Sequence, residues 1–144
     1  MARNTSRQRA ILGAIAVGGG LGGLARYGVA QLLPTLPGRF PVGTFVINAV
    51  GCALIGVLMV LITEVWSGHY LLRPFLGVGV LGGFTTFSTY AVEVRGLLRP
   101  GSALLAFGYL ASAMACALLA VLLGVWFARW ATRAARRPRR AGAP

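Results

Sequence analysis

Two polar constellations interrupt an otherwise apolar chain: Thr44 with Asn48, and the run Thr85-Thr86-Phe87-Ser88-Thr89-Tyr90. Residues at i and i+4 share a helix face, so the Thr44 hydroxyl and the Asn48 amide point the same way. Phe87 and Tyr90, at i and i+3, share another face, and so do Tyr109 and Ser112. All of these are neutral donors or aromatic edges. A small anion leaving water needs donors to replace its hydration shell and no competing negative charge. Ring edges carry the positive end of the aromatic quadrupole and can approach an anion in the ring plane, although an aromatic pair at helical spacing also serves simple packing.

Groups for other chemistries are scarce. Glu64 and Glu93 are the only acids. Glu64 falls in a turn, and Glu93 lies near Arg95 and within possible reach of Arg26. Each reads as half of a structural ion pair rather than as a proton relay. His69, the single histidine, falls in a polar turn and reads as solvated, so no nucleophile with a base suggests an enzyme. Cys52 and Cys116 sit deep in apolar runs without metal-ligand spacing and read as small buried hydrophobes. Arg26 is the one cation within an apolar run. It reads as a snorkelling anchor or as a positive vestibule that gathers anions.

These side chains must be positioned by membrane helices. Of 144 residues 57% are hydrophobic and only 11% charged, and the mean hydropathy is +0.77, far from the balance of a soluble domain. About 20 apolar residues span a bilayer, and the pattern predicts four spans in a single membrane domain, all-α, over about 10–33, 41–62, 70–98 and 102–130. An Arg-rich tail over 131–144 follows. Pro34, Pro37 and Gly38 close the first span, a turn with Glu64, Ser67, Gly68 and His69 the second, and Pro100-Gly101 the third. The Arg-bearing start ahead of Ala14-Ile15-Ala16 resembles a signal peptide, but the apolar run continues to Leu33 and is kept as the first span.

The third span is the irregular one. Gly82-Gly83 followed by Phe84-Thr85-Thr86 is a poor stretch for continuous helix, so a break is expected at 82–86. In lipid such a break survives only inside protein or beside a wet cavity, where half-helix ends offer carbonyls to cations and amides to anions. Close helix packing is the alternative use of Gly82-Gly83, and the preferred one for Gly18-Gly19-Gly20 and Gly22-Gly23.

The formal charge of +12 comes entirely from arginine. Arg3, Arg7 and Arg9 precede the first span, and Arg129, Arg133, Arg136, Arg137, Arg139 and Arg140 cluster at or beyond the end of the last, where such residues hold termini inside and meet anionic headgroups. No aromatic residue interleaves the tail as a stacking platform for nucleic acid.

The combination of Gly22-Gly23-Leu24-Ala25-Arg26-Tyr27, the stretch from Gly43 to Gly51 with Asn48, Gly82 through Tyr90 with Glu93, and Tyr109 with Ser112 resembles the Fluc or CrcB family of fluoride channels. The resemblance implies a multi-pass protein of the cell membrane that exports cytoplasmic fluoride passively and so relieves fluoride toxicity. It implies an antiparallel, dual-topology dimer of four-helix subunits with a broken third helix. It also implies a structural sodium ion held at the dimer centre by backbone carbonyls at positions matching Gly82 and Thr85. The fluoride pathway maps to Phe87, Tyr90, Asn48, Thr44, Ser112 and Tyr109. Tyr90 stands where the family usually has Phe. The Arg bias is a second departure, because the side of the termini also gathers Arg73 while the opposite loops hold only Arg39, Arg95 and Arg99. A homodimer with subunits in both orientations should be nearly balanced, so pairing with an oppositely biased homologue is expected as an alternative. The rival reading, a small four-helix multidrug or cation exporter, calls for an acid within the first span, and none is there. A noncatalytic membrane scaffold would leave Asn48 and the hydroxyl run without a purpose.

Overall fold

A computed structural model describes residues 2–66, 70–99 and 101–135, with side chains described from residue 5 onward. The Arg3 side chain, the turn residues Ser67, Gly68 and His69, Pro100, and the tail with Arg136, Arg137, Arg139 and Arg140 lie outside the described residues.

All regular structure among the described residues is helical. Helix α1 covers Ala2–Leu32. Helix α2 covers Val42–Val60 and continues as a π-turn over Leu61–Val65. Helix α3 winds as a π-helix over Pro74–Leu81 and ends in one α-turn, Gly82–Phe84. Helices α4, Ser88–Leu97, and α5, Ala103–Ala135, complete the described helices. Among the described residues four stretches are long and apolar enough to cross a bilayer: Thr5–Leu32, Val42–Val65, Pro74–Leu97 and Ala103–Ala135. This is a multi-pass membrane protein. Helix α1 starts well before the expected residue 10, and α5 runs past 130. Hydropathy marks where lipid begins, whereas the Arg, Gln and Ala residues at those ends keep high helix propensity in water.

Residue correspondences set the directions. Phe40 meets Tyr109, and Gly56 meets Val121 and Val125, so α2 and α5 run parallel. Gly18 faces Phe75 and Gly79, and Gly22 faces Val80 and Phe84, so α1 and α3 run parallel as well. Glycines decide both contacts. A Cβ on Gly18 would stand 2.5 Å from the Phe75 carbonyl oxygen, and one on Gly79 would stand 2.9 Å from the Gly18 Cα. Gly83 likewise abuts the Gly19 backbone. In lipid, where apolar area alone does not drive helices together, such backbone approach supplies the packing. Gly38 and Gly101, with φ of 75° and 92°, make the turns that side chains rarely allow.

The best-buried cluster, Leu97, Ala106 and Tyr109, lies between α4 and α5. Its aromatic extension runs Phe45, Phe40, Tyr109, Tyr90, Phe87, with successive ring centroids 5.4, 5.0, 5.2 and 5.9 Å apart. Most large apolar side chains instead face outward, among them Leu24, Leu104, Leu118 and Leu122, as lipid contact or a second subunit requires. At the end where α1 begins and α5 finishes, Arg129 pairs with Glu64 at 2.8 Å and Arg7 lies over the Tyr70 ring at 4.9 Å. Cys52 and Cys116 are free thiols of intermediate burial.

Candidate functional site

Helical winding passes through Gly82 and Gly83 and is lost at Thr85, where φ is −74° and ψ is 156°. Thr85, Thr86 and Phe87 therefore separate α3 from α4. Consecutive β-branched threonines with hydroxyls that compete for backbone partners explain why winding ends there rather than at the glycines. The Thr85 hydroxyl donates to the Leu81 carbonyl at 3.0 Å, and its methyl group fills the space left by Gly51.

Backbone groups freed in a membrane must find partners, and here side chains provide them. Asn48 acts as a backbone surrogate: its Nδ2 donates to the Thr86 carbonyl at 2.9 Å, and its Oδ1 accepts from the Thr86 N–H at 2.9 Å. Arg26 Nη1 donates to the Thr85 carbonyl at 3.2 Å. The Thr86 hydroxyl, on a residue only 7% exposed, accepts from the Thr89 N–H at 3.2 Å and so gives a partner to an amide in the first turn of α4. It also donates to the Thr89 hydroxyl at 3.0 Å.

Glu93 is not paired with Arg95 or Arg26 as the sequence suggested. Its Oε1 accepts from Thr44 at 2.8 Å and from Thr35 at 3.2 Å, and its Oε2 accepts from Tyr109 at 2.9 Å. Arg26 is engaged at Thr85, and Arg95, two residues along the same helix, does not share the Glu93 face. Charged acceptors make stronger hydrogen bonds, so three hydroxyls hold this carboxylate without a cation. Tyr109 is fully buried. Tyr109→Phe is expected to leave Oε2 short of a donor at a cost of about 1–3 kcal/mol, read as earlier thermal unfolding of the purified protein. An unchanged transition would mean that the bond contributes nothing.

The sequence-predicted residues separate into two concave surfaces. Asn48, Phe87 and Tyr90 line a groove of about 350 Å³ together with Cys52, Thr85 and Met114. Phe87 is 79% exposed at its mouth. Arg26 and Thr44 line a second cleft of about 660 Å³ with Thr86, Thr89 and Tyr27. Tyr109 lines neither and belongs to the buried cluster with Leu97 and Ala106, and the Ser112 hydroxyl turns back onto the Tyr109 carbonyl at 3.2 Å. The Tyr90 hydroxyl donates to the Leu110 carbonyl at 3.2 Å, which ties α4 to α5. Sequence reading did not single out Thr35, which follows Pro34 in a turn and carries no periodic signal. Nor did it separate Thr86 and Thr89 from the rest of the hydroxyl run.

Residues 13–125 match the family described as CrcB-like protein, Camphor Resistance (CrcB). A Nocardia farcinica protein named fluoride-specific ion channel FluC 2 is 61% identical over 109 residues, covering 76% of this chain and 78% of that protein. A Streptomyces avermitilis protein of the same name is 55% identical over 107 residues, 74% of this chain and 68% of its own length. The Streptomyces coelicolor fluoride-specific ion channel FluC 1 is 53% identical over 111 residues, 77% of this chain and 72% of its own. With its glycine-packed spans, its Asn48 clamp and most of its length in register with these proteins, the chain belongs to the CrcB-like family.

Proposed function

We propose that this chain is a subunit of a fluoride-specific channel, the activity that the names of its relatives state for them, and that it releases fluoride from the cell passively. The observation that carries the reading is the groove where Asn48, Phe87 and Tyr90 converge beside Thr85 and Thr86. An amide nitrogen carries two hydrogens, and the Thr86 carbonyl takes one from Asn48. The other is available to a dehydrated anion, with the ring edges of Phe87 and Tyr90 alongside. Thr44 and Tyr109 act indirectly, by occupying the Glu93 oxygens so that this carboxylate is screened. Ser112 belongs to the same pathway by family resemblance. Arg26, at the wall of the second cleft, adds positive potential where anions collect.

The assembly is a dimer of inverted subunits, either two copies of this chain or one copy with a homologue of opposite charge bias. A structural sodium ion at its centre takes backbone carbonyls of Gly82 and Thr85. The Thr85 carbonyl lies beyond the helical turn and accepts from a guanidinium, and a neutral oxygen that favours positive charge suits a hard cation. The ion would fix the two breaks against each other. The exporter reading is weaker, because α1 holds no acid to couple protons to a cargo.

The test is fluoride efflux from liposomes holding the purified protein, alone and with a homologous partner, with the potential clamped by an ionophore. Rapid efflux of fluoride over chloride without a proton gradient is expected, and Phe87→Ile should slow it about tenfold, the worth of one good aromatic contact. A folded protein silent in both preparations, or one that moves fluoride only against protons, rejects the channel.

A further inference from the structure

We infer that the Arg26 guanidinium is a tethered occupant of the Thr85 carbonyl that a sodium ion must displace, so that cation binding releases Arg26 into the anion-facing cleft. The inference rests on the sodium reading proposed above.

The geometry comes from the packing of α1. Gly22 lies against Val80 and Phe84, so the residue one turn later on the same face, Arg26, arrives beside Thr85. Thr85 has left helical geometry, and its carbonyl accepts the Arg26 Nη1 at 3.2 Å. No acid neutralises this guanidinium among the described residues: Glu93 is held by Thr35, Thr44 and Tyr109, and Glu64 pairs with Arg129.

A carbonyl oxygen has two lone pairs, but a metal contact and a guanidinium contact on one oxygen would put two positive charges roughly 5–6 Å apart. In a protein interior such a pair repels by several times the thermal energy. Sodium therefore favours the arrangement in which Arg26 has left. The side chain has somewhere to go, because Arg26 already lines the cleft of about 660 Å³ with Thr44, Thr86 and Thr89. Swung into that cleft, its charge faces arriving anions instead of a backbone oxygen. Cation occupancy and anion recruitment become linked through one residue.

The experiment is a sodium titration of the thermal unfolding of the purified full-length protein, alone and assembled with a homologous partner, at constant ionic strength with choline as the replacement cation. The parent protein should be stabilised by sodium. Arg26→Gln and Arg26→Met should reach half-stabilisation at about tenfold lower sodium, whereas Arg26→Lys, which keeps the charge, should stay close to the parent. A second reading needs no variant: sodium should speed the modification of Arg26 by phenylglyoxal about severalfold relative to Arg7, mapped by peptide mass, because the bound guanidinium is freed. Sodium stabilisation of the parent with an unshifted or weaker midpoint in the neutral variants, or with Arg26 reactivity that does not rise, overturns the displacement and leaves the sodium site standing. A parent protein indifferent to sodium in both preparations overturns both.

Discussion

Asn48→Asp is expected to slow fluoride efflux by about 100-fold or more and to lower the unfolding temperature of the purified protein. The substitution is nearly isosteric, so the effect is chemical. Asn48 gives one amide hydrogen to the Thr86 carbonyl and accepts from the Thr86 N–H, both at 2.9 Å. An aspartate keeps the second bond and destroys the first, since a carboxylate only accepts. Two oxygens then face each other with no hydrogen between them, and leaving a buried acceptor unpaired costs about 1–3 kcal/mol. A full negative charge also enters the groove shared with Phe87 and Tyr90. At an effective dielectric near 20, an anion about 4 Å away is opposed by about 4 kcal/mol. Flux falls because the ion is repelled, and stability falls because the segment between α3 and α4 loses a clamp. Liposome efflux and thermal unfolding measure the two separately. Efflux within about threefold of the parent would remove Asn48 from the pathway.

The second large effect concerns assembly of the helices. Gly22→Val is expected to leave little or no monodisperse protein, whereas Gly28→Val on the same helix is tolerated. A Cβ on Gly22 would collide with the Val80 carbonyl and stand 2.8 Å from the Phe84 nitrogen, while one on Gly28 meets nothing within 4 Å. Backbone cannot swing aside as a flexible side chain does, so α1 would have to withdraw from α3. Overpacking in ordinary cores costs about 1–3 kcal/mol, and here the helix contact itself depends on the approach. Arg26 and Thr85 would separate as well, which couples this packing to the functional site. Size-exclusion chromatography after extraction measures the outcome. Equal recovery of the two variants would show that the glycine contact is dispensable.

Much of this protein can be read without coordinates. Four apolar stretches of spanning length, divided by Pro and Gly at the turns, follow from hydropathy and backbone constraint alone. The family can be read from motifs that cover most of the chain. Position-by-position chemistry can be read too: Gly82 through Thr86 is poor helix, and Thr44, Asn48, Phe87 and Tyr90 are neutral donors and rings.

Partnership was decided only in three dimensions. Thr44 and Asn48 share a helix face, yet Thr44 serves Glu93 and Asn48 serves the Thr86 backbone. Periodicity gives a direction from the helix axis and says nothing of what stands opposite. The three hydroxyls on Glu93 come from positions 58, 49 and 16 residues away, and one of them sits in a turn with no pattern to announce it. Charge rules pointed Glu93 toward arginine, but reach and orientation gave Arg26 to Thr85. The point where winding stops has the same origin. Glycines have the weakest helix propensity in the segment, but Gly83 abuts α1 and Gly51 makes room for Thr85, so packing carries the helix through the glycines and releases it at the threonines. Composition and period determine which segments enter the membrane, because each residue meets lipid on its own terms. A hydrogen bond between distant residues exists only once backbones have packed closely enough to bring donor and acceptor within 3 Å or so, and that distance belongs to the tertiary structure.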